Sequence, residues 1–177
     1  MHDYLFKSNR LGFRNWKDSD LDEFAKINAD KEVMQFFPRV LTEDESLGFL
    51  QKSKQHYNDK GYAYFAIEIL KTNEFIGFIG IEQEVYDNEF YPAINMSWRL
   101  KRSAWGNGYA TEGAKECISY AFLKLGIKRI IACCTINNRN SEKIMQKLGM
   151  IKVGEFLEPR LEDVCNKGKV LCYEIVK

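Results

Sequence analysis

Trp98-Arg99-Leu100-Lys101-Arg102-Ser103-Ala104-Trp105-Gly106-Asn107-Gly108-Tyr109-Ala110 carries the chain out of a strand, through a glycine-bearing turn and into a helix. Upstream, the residues from Ala93 to Leu100 alternate with period two. Ile94, Met96, Trp98 and Leu100 share one face, and Ala93, Asn95, Ser97 and Arg99 share the other. Downstream the period changes: Ala110, Gly113, Ala114, Cys117, Ile118, Ala121, Phe122 and Leu125 recur at helical spacing up to a capping Gly126. A turn of small residues at a helix N-terminus leaves main-chain N–H groups free and adds the positive end of the helix dipole, which together make an anion site. A pyrophosphate fits there, and so does a plain tight turn, so the flanks must decide. No G-K-S/T follows, which excludes a Walker loop, and the G-x-G-x-x-G dinucleotide fingerprint is missing.

Working outward toward the N-terminus, Arg10 to Trp16 reads as a strand, followed by a short helix capped by Asp18 or Ser19. Thr42 with Glu45 is a capping-box pattern, opening a helix that carries Leu47, Leu50 and Tyr57 inward and ends near Gly61. Tyr62 to Leu70 and Phe75 to Val85 are β-type runs joined at Lys71-Thr72-Asn73-Glu74, a hairpin connection. Toward the C-terminus a strand from Lys128 to Thr135 precedes a helix from about Asn138 to Leu148, then strands near Ile151 to Leu157 and Val170 to Val176. Strands dominate the middle and single helices separate the later ones, so the class is mixed α/β (α+β) with antiparallel hairpins. A chain of 177 residues without linker or repeat reads as one domain, 1–177.

Composition narrows the function. Lys plus Arg (26) nearly balances Asp plus Glu (25), so no global field gathers nucleic acid or anionic lipid, and neither is an expected partner. No stretch approaches the ~18 apolar residues of a spanning helix, and Met1-His2-Asp3-Tyr4 has no basic or apolar leader, so a cytoplasmic protein is expected. Cys117, Cys133, Cys134, Cys165 and Cys172 show no C-x-x-C pair and sit mostly in apolar runs, which predicts reduced, buried thiols. With only His2 and His56 in the chain, no metal site is expected and a Ser/His/Asp triad is disfavoured.

Trp105-Gly106-Asn107-Gly108-Tyr109-Ala110 resembles the acetyl-CoA loop of the GNAT superfamily of N-acetyltransferases, Gln/Arg-x-x-Gly-x-Gly/Ala, with Trp105 departing from the usual Gln or Arg. W-G-x-G-Y-A-T-E, completed by Thr111 and Glu112, is typical of the branch resembling the ribosomal-protein acetyltransferases RimJ and RimL. The similarity extends over almost the whole chain: Arg10-Leu11-Gly12-Phe13-Arg14, Asn28-Ala29-Asp30-Lys31-Glu32-Val33-Met34, Gly77-Phe78-Ile79-Gly80, Asn138-Arg139-Asn140-Ser141 and Lys147-Leu148-Gly149-Met150 all have counterparts. The resemblance implies a mostly antiparallel sheet of six or seven strands with about four helices, its fourth and fifth strands splayed to admit coenzyme A. It implies acetyl-CoA as co-substrate, bound by Trp98, Leu100, Trp105, Gly106, Asn107, Gly108, Tyr109, Ala110 and Thr111, with Asn138 and Ser141 on the far wall of the pantetheine slot. Arg99, Lys101 and Arg102 form a basic run beside the loop, which is either a solvated face or a source of phosphate attraction, and Arg99 is taken as a cofactor contact on that ground. The Leu100 N–H would polarise the thioester carbonyl.

Two departures bear on catalysis. Relatives of this type often supply a Tyr acid seven residues after the Asn of the fifth-strand segment, where this chain has Met145, so Ser141 becomes the candidate acid. Relatives usually read E-I-G-W-R-L in the fourth strand, whereas this chain reads Asn95-Met96-Ser97-Trp98-Arg99-Leu100 and lacks that carboxylate. Glu82 and Glu84, on one face of the preceding strand, are the candidate bases, with Glu68 a further carboxylate nearby. Tyr62, Tyr64, Tyr86 and Phe90 are candidates to line an acceptor cleft, or else packing residues. The expected activity is acetyl transfer to a primary amine, a protein N-terminal α-amine or a small amine, by direct attack in a ternary complex of a monomer or homodimer. The missing carboxylate favours low-pKa amines over lysine side chains and polyamines. The alternatives are an inactive acyl-CoA sensor or partner-binding domain of the same fold, and a nucleotide-phosphate binder of another fold.

Overall fold

The computed structural model describes residues 4–85, 88–164 and 168–177; His2, Tyr86 and Cys165, named above, lie outside them. In chain order the elements are β1 (Phe6–Lys7), β2 (Leu11–Arg14), α1 (Leu21–Ala29), α2 (Glu43–Lys60), β3 (Tyr64–Ile69), β4 (Glu74–Glu84), β5 (Ala93–Leu100), α3 (Tyr109–Leu123), β6 (Arg129–Thr135), α4 (Arg139–Lys147), β7 (Ile151–Leu157) and β8 (Lys169–Val176). One sheet runs β1-β2-β3-β4-β5-β6-β8-β7. Every neighbouring pair in it is antiparallel except β5 with β6.

The sheet has eight strands where six or seven were expected. The extra one, β1, is two residues long, too short for any periodicity to register. It is held by stacking: the Phe6 ring lies 4.2 Å from Phe13 and 4.1 Å from Tyr120.

Alternation along the strands divides the core into two layers. On one face Leu11, Phe13, Phe65, Ile67, Ile79, Ile81 and Met96 pack under α3 and α4. On the other, Trp16, Phe24, Leu50, Tyr64, Ala66 and Phe78 pack with α1 and α2. Helix α3 approaches so closely that a Cβ on Gly113 would sit 2.4 Å from the Ile79 side chain. The helix ends at Leu123, three residues before the expected Gly126.

Helix α1 starts differently from expectation. Asp18–Asp20 forms a 3-10 turn, and neither Asp18 nor Ser19 caps the helix. Asp20 is instead buried, taking two 2.7 Å hydrogen bonds from the Arg14 guanidinium, while Asp18 pairs with Lys54 at 2.9 Å. Arg14 also donates to Glu68 at 2.6 Å, and the Tyr4 hydroxyl donates to the other Glu68 oxygen at 2.7 Å. Glu68 thus belongs to a buried structural network. Among the described cysteines, Cys117, Cys134 and Cys172 are buried, Cys133 is partly so, and all four are free thiols. No helix among the described residues is long and apolar enough to cross a membrane.

Helix α2 opens as its sequence indicates: Glu45 N donates to Thr42 Oγ1 at 3.2 Å and Thr42 N to Glu45 Oε2 at 2.9 Å. Replacing Thr42 by Ala removes one half of this box, so a loss of about 1 kcal/mol is expected in denaturant unfolding. A change below a few tenths would show that water caps this end equally well.

Candidate active site

Parallel strands β5 and β6 meet at one register pair, Asn95 with Ile131, whereas β4 and β5 pair over their whole shared length. Beyond Asn95 the two strands diverge. Lys101 N donates to Ile76 O at 2.9 Å, so alternation along the antiparallel β4–β5 ladder turns the peptide groups of Trp98 and Leu100 away from β4, into the gap. A cleft of about 850 Å³ passes through it. Trp98, Tyr109, Asn138 and Ser141 line the α3/α4 side; Phe37, Phe49, Tyr64, Glu84 and Arg99 line the α1/α2 side.

The glycine turn opens onto the first side. Gly106 and Gly108 have φ of 75° and 78°, and Gly108 occupies the N-cap position of α3 without a side-chain cap, which leaves the first helical N–H groups unpaired by any cap. A Cβ at Gly106 would meet nothing within 4 Å. Trp105, Gly106, Gly108, Tyr109, Ala110 and Thr111 line the cleft. Asn107 does not: its Nδ2 turns inward to Ala104 O (3.3 Å) and Trp105 O (3.0 Å). Trp105 Nε1 donates to Leu100 O at 2.8 Å, so the Leu100 carbonyl is engaged within the chain while its N–H still faces the gap.

Arg10 fixes this turn, a role the sequence reading missed. Its Nη2 donates to Asn107 O (2.9 Å), its Nε and main-chain N bond the Glu112 carboxylate (2.6 and 2.8 Å), and its guanidinium lies 4.6 Å over the Tyr109 ring. Burial alone would raise the Glu112 pKa, but the bonds from Ser8 and Arg10 outweigh it and the carboxyl sits below its ordinary value. The negative charge also complements the first turn of α3. The contacts of Arg10 with residues 107 and 112 bridge about a hundred positions, and no local pattern signals them.

Helix α4 forms the far wall. Asn138 Oδ1 accepts from Ser141 N at 3.1 Å as an N-cap, yet both residues also line the cleft. The Ser141 hydroxyl makes no hydrogen bond among the described residues. Met145 is fully buried in the core, so this position offers the cleft nothing.

On the α1/α2 side the two candidate carboxylates part. Glu82 is 1% exposed, held by the Ser53 hydroxyl at 2.6 Å under α2, and does not line the cleft. Glu84 does line it, accepting a 2.6 Å hydrogen bond from the Tyr64 hydroxyl, which in turn accepts from Asn95 Nδ2 at 3.2 Å. Burial and then the adjacent Glu84 charge hold the Tyr64 pKa well above its usual value, so Tyr64 stays neutral and donates. Arg99, expected beside the cofactor turn, lies across the sheet from it, donating from Nη1 to Asn28 Oδ1 at 2.7 Å. Its neighbours in sequence explain the difference: Lys101 and Arg102 continue a basic run but pair with Glu74 and Glu32.

Three buried side-chain polar atoms lack a hydrogen-bond partner among the described residues: Asn95 Oδ1, Arg99 Nε and Thr135 Oγ1. All three residues line this cleft. Buried polar groups are normally paired, so their convergence on one cavity makes it the candidate ligand site.

A family model described as an acetyltransferase (GNAT) domain matches residues 10–151. The N-acetyltransferase YnaD of Bacillus subtilis is 27% identical over 150 residues, 84% of each chain. A GNAT-family acetyltransferase of Bacillus anthracis superposes with a TM-score of 0.80 at 25% identity, covering 96% of both chains. RimL, a ribosomal α-N-protein acetyltransferase solved in complex with coenzyme A, superposes with a TM-score of 0.80 at 16% identity over 98% of both chains, a likeness of fold.

Proposed function

Since the chain belongs to the acetyltransferase (GNAT) family, we propose that it is an acetyl-CoA-dependent N-acetyltransferase acting on a primary amine, a protein N-terminal α-amine or a small amine, by direct attack in a ternary complex. The observation that carries this reading is the convergence on one cleft of an unpaired strand edge, a glycine turn at a helix N-terminus and the unpartnered polar atoms. Acetyl-CoA supplies the electrophilic thioester. The turn from Trp105 to Ala110 offers N–H groups to its pyrophosphate. The free edge of Trp98 and Leu100 takes the pantetheine as an added strand, with the Leu100 N–H directed at the thioester carbonyl oxygen. Asn138 stands on the opposite wall.

Two protons must move. Before the N–C bond forms, Glu84, positioned by Tyr64, takes one proton from the acceptor ammonium and frees the lone pair that attacks; the second nitrogen proton leaves after addition and replaces the one that Ser141 gives up. As the C–S bond breaks, the Ser141 hydroxyl gives one to the departing thiolate. Ser141→Ala is expected to lower kcat by about 10²-fold with little change in acetyl-CoA affinity. A loss of only a few-fold would assign the hydroxyl to the helix turn alone. A location in the cytoplasm and a monomeric or homodimeric state belong to the same reading.

The test is thiol release from acetyl-CoA across a panel of α-amines, lysine peptides and polyamines. Acceptor-dependent release is expected. Acetyl-CoA binding with no acceptor turned over would leave the inactive sensor as the better description.

A further inference from the structure

Arg99 is a cation without a counter-charge. Among the described residues its hydrogen bonding to the protein is the Nη1 bond to Asn28 Oδ1, and its Nε is out of solvent and unpartnered. Asn28 is itself fully buried and neutral, braced by a 2.9 Å bond from its Nδ2 to the Ser46 hydroxyl. The remaining surroundings are rings: the guanidinium lies 4.4 Å from the Phe37 centroid and 5.5 Å from Phe78. Burial pushes its pKa down to about 10, with Tyr64 opposing, and it remains a cation at neutral pH. The carboxylates that line this side are engaged by other groups, Glu84 by the Tyr64 hydroxyl and Glu32 by Arg102.

Arg99 is half-buried, and a guanidinium held partly out of water without a carboxylate carries a desolvation cost. Cation–π contact and one amide oxygen offset part of that cost. They leave donor capacity on Nη2 and on the second Nη1 hydrogen for a carboxylate in the cleft that Arg99 lines. The position is on the α1/α2 side, opposite the glycine turn, where the acceptor and not the cofactor would enter.

We propose that Arg99 is the anchor of an acceptor subsite for a carboxylate, so that the substrate is a primary amine carrying a carboxylate in the same molecule. This rests on the acetyltransferase reading and narrows its acceptor class. Asn28 and Phe37 are positioning residues: they hold the guanidinium plane without neutralising it. A polyamine, all cation, meets repulsion at the same point.

The experiment compares acceptors matched except for charge: 4-aminobutyrate against 4-aminobutyramide, and the dipeptide amides Asp-Ala against Asn-Ala. The first pair stands for small amines and the second for peptide N-termini. The wild type is expected to favour the carboxylate member of at least one pair by 10-fold or more in kcat/KM. That ratio is expected to fall to near one in Arg99→Gln and to be partly kept in Arg99→Lys. In parallel, the coenzyme A-loaded wild type is melted with the acetylated product of each acceptor. The carboxylate product is expected to raise Tm above its neutral twin, a readout independent of turnover. Equal rates and equal shifts within both pairs, or a preference that survives Arg99→Gln, would overturn the subsite and leave Arg99 a packing residue of the aromatic wall. Failure of acetyl-CoA itself to raise Tm would instead remove the acetyltransferase reading.

Discussion

Gly108→Asp is expected to weaken acetyl-CoA binding by about 10³-fold or more, measured by titration calorimetry, while the protein stays folded. Space is not the obstacle, since a Cβ there would meet only Arg10 Nη2, at 3.6 Å. The backbone is at φ 78°, where a non-glycine residue costs about 1–2 kcal/mol, though Asn and Asp tolerate it best. What the substitution adds is a carboxylate among the N–H groups that face the pyrophosphate, where two anions would compete for one positive helix end. Gly108→Asn separates the effects, having the same bulk and backbone but no charge, and is expected to retain most of the affinity. Similar losses in the two variants would mean that backbone strain, not charge, governs the site. Binding by the Asp variant within a few-fold of wild type would move the pyrophosphate elsewhere.

Glu84→Gln is expected to lower kcat by about 10² to 10⁴-fold at neutral pH. The sign of its pH dependence follows from the acceptor. A lysine-like amine with a pKa near ~10.4 is only about 0.1% neutral at pH 7.4, so a missing base is felt most there. As pH rises toward the amine pKa the acceptor deprotonates in solution, and the variant is expected to recover part of the wild-type rate. Glu82→Gln serves as the contrast: Glu82 sits beneath α2 against Ser53, so its loss is expected in stability and not in the pH profile. A Glu84→Gln enzyme with unchanged kcat at pH 7 would leave deprotonation to solvent.

Much of the fold is legible because its signals are local. The Thr42–Glu45 box, the Lys71–Glu74 connection and the helical spacing after Gly108 each lie within a few residues and fold as read. Period-two alternation in β5 also sorted the faces correctly, Trp98 and Leu100 on one and Asn95 and Arg99 on the other. What misled was adjacency: Arg99 precedes Lys101 and Arg102 in sequence, and its face should have outweighed its neighbours. Glu82 and Glu84 share a face two residues apart, and only Ser53 and Tyr64, 29 and 20 positions away, distinguish them. The Arg10 clamp and the two-residue β1 depend on similarly distant partners, Glu112 and Tyr120.

The most direct measurement is the melting temperature of the wild-type protein with and without saturating acetyl-CoA. A ligand that binds the folded state and not the unfolded one stabilises by RT ln(1 + [L]/Kd), about 2.7 kcal/mol at a hundredfold excess over Kd. On that basis acetyl-CoA is expected to raise Tm by several degrees, and an acetyl donor lacking the pyrophosphate and pantetheine, such as acetyl phosphate, to leave it where it was. An unmoved Tm at saturating acetyl-CoA would contradict the assignment of this cleft to the cofactor.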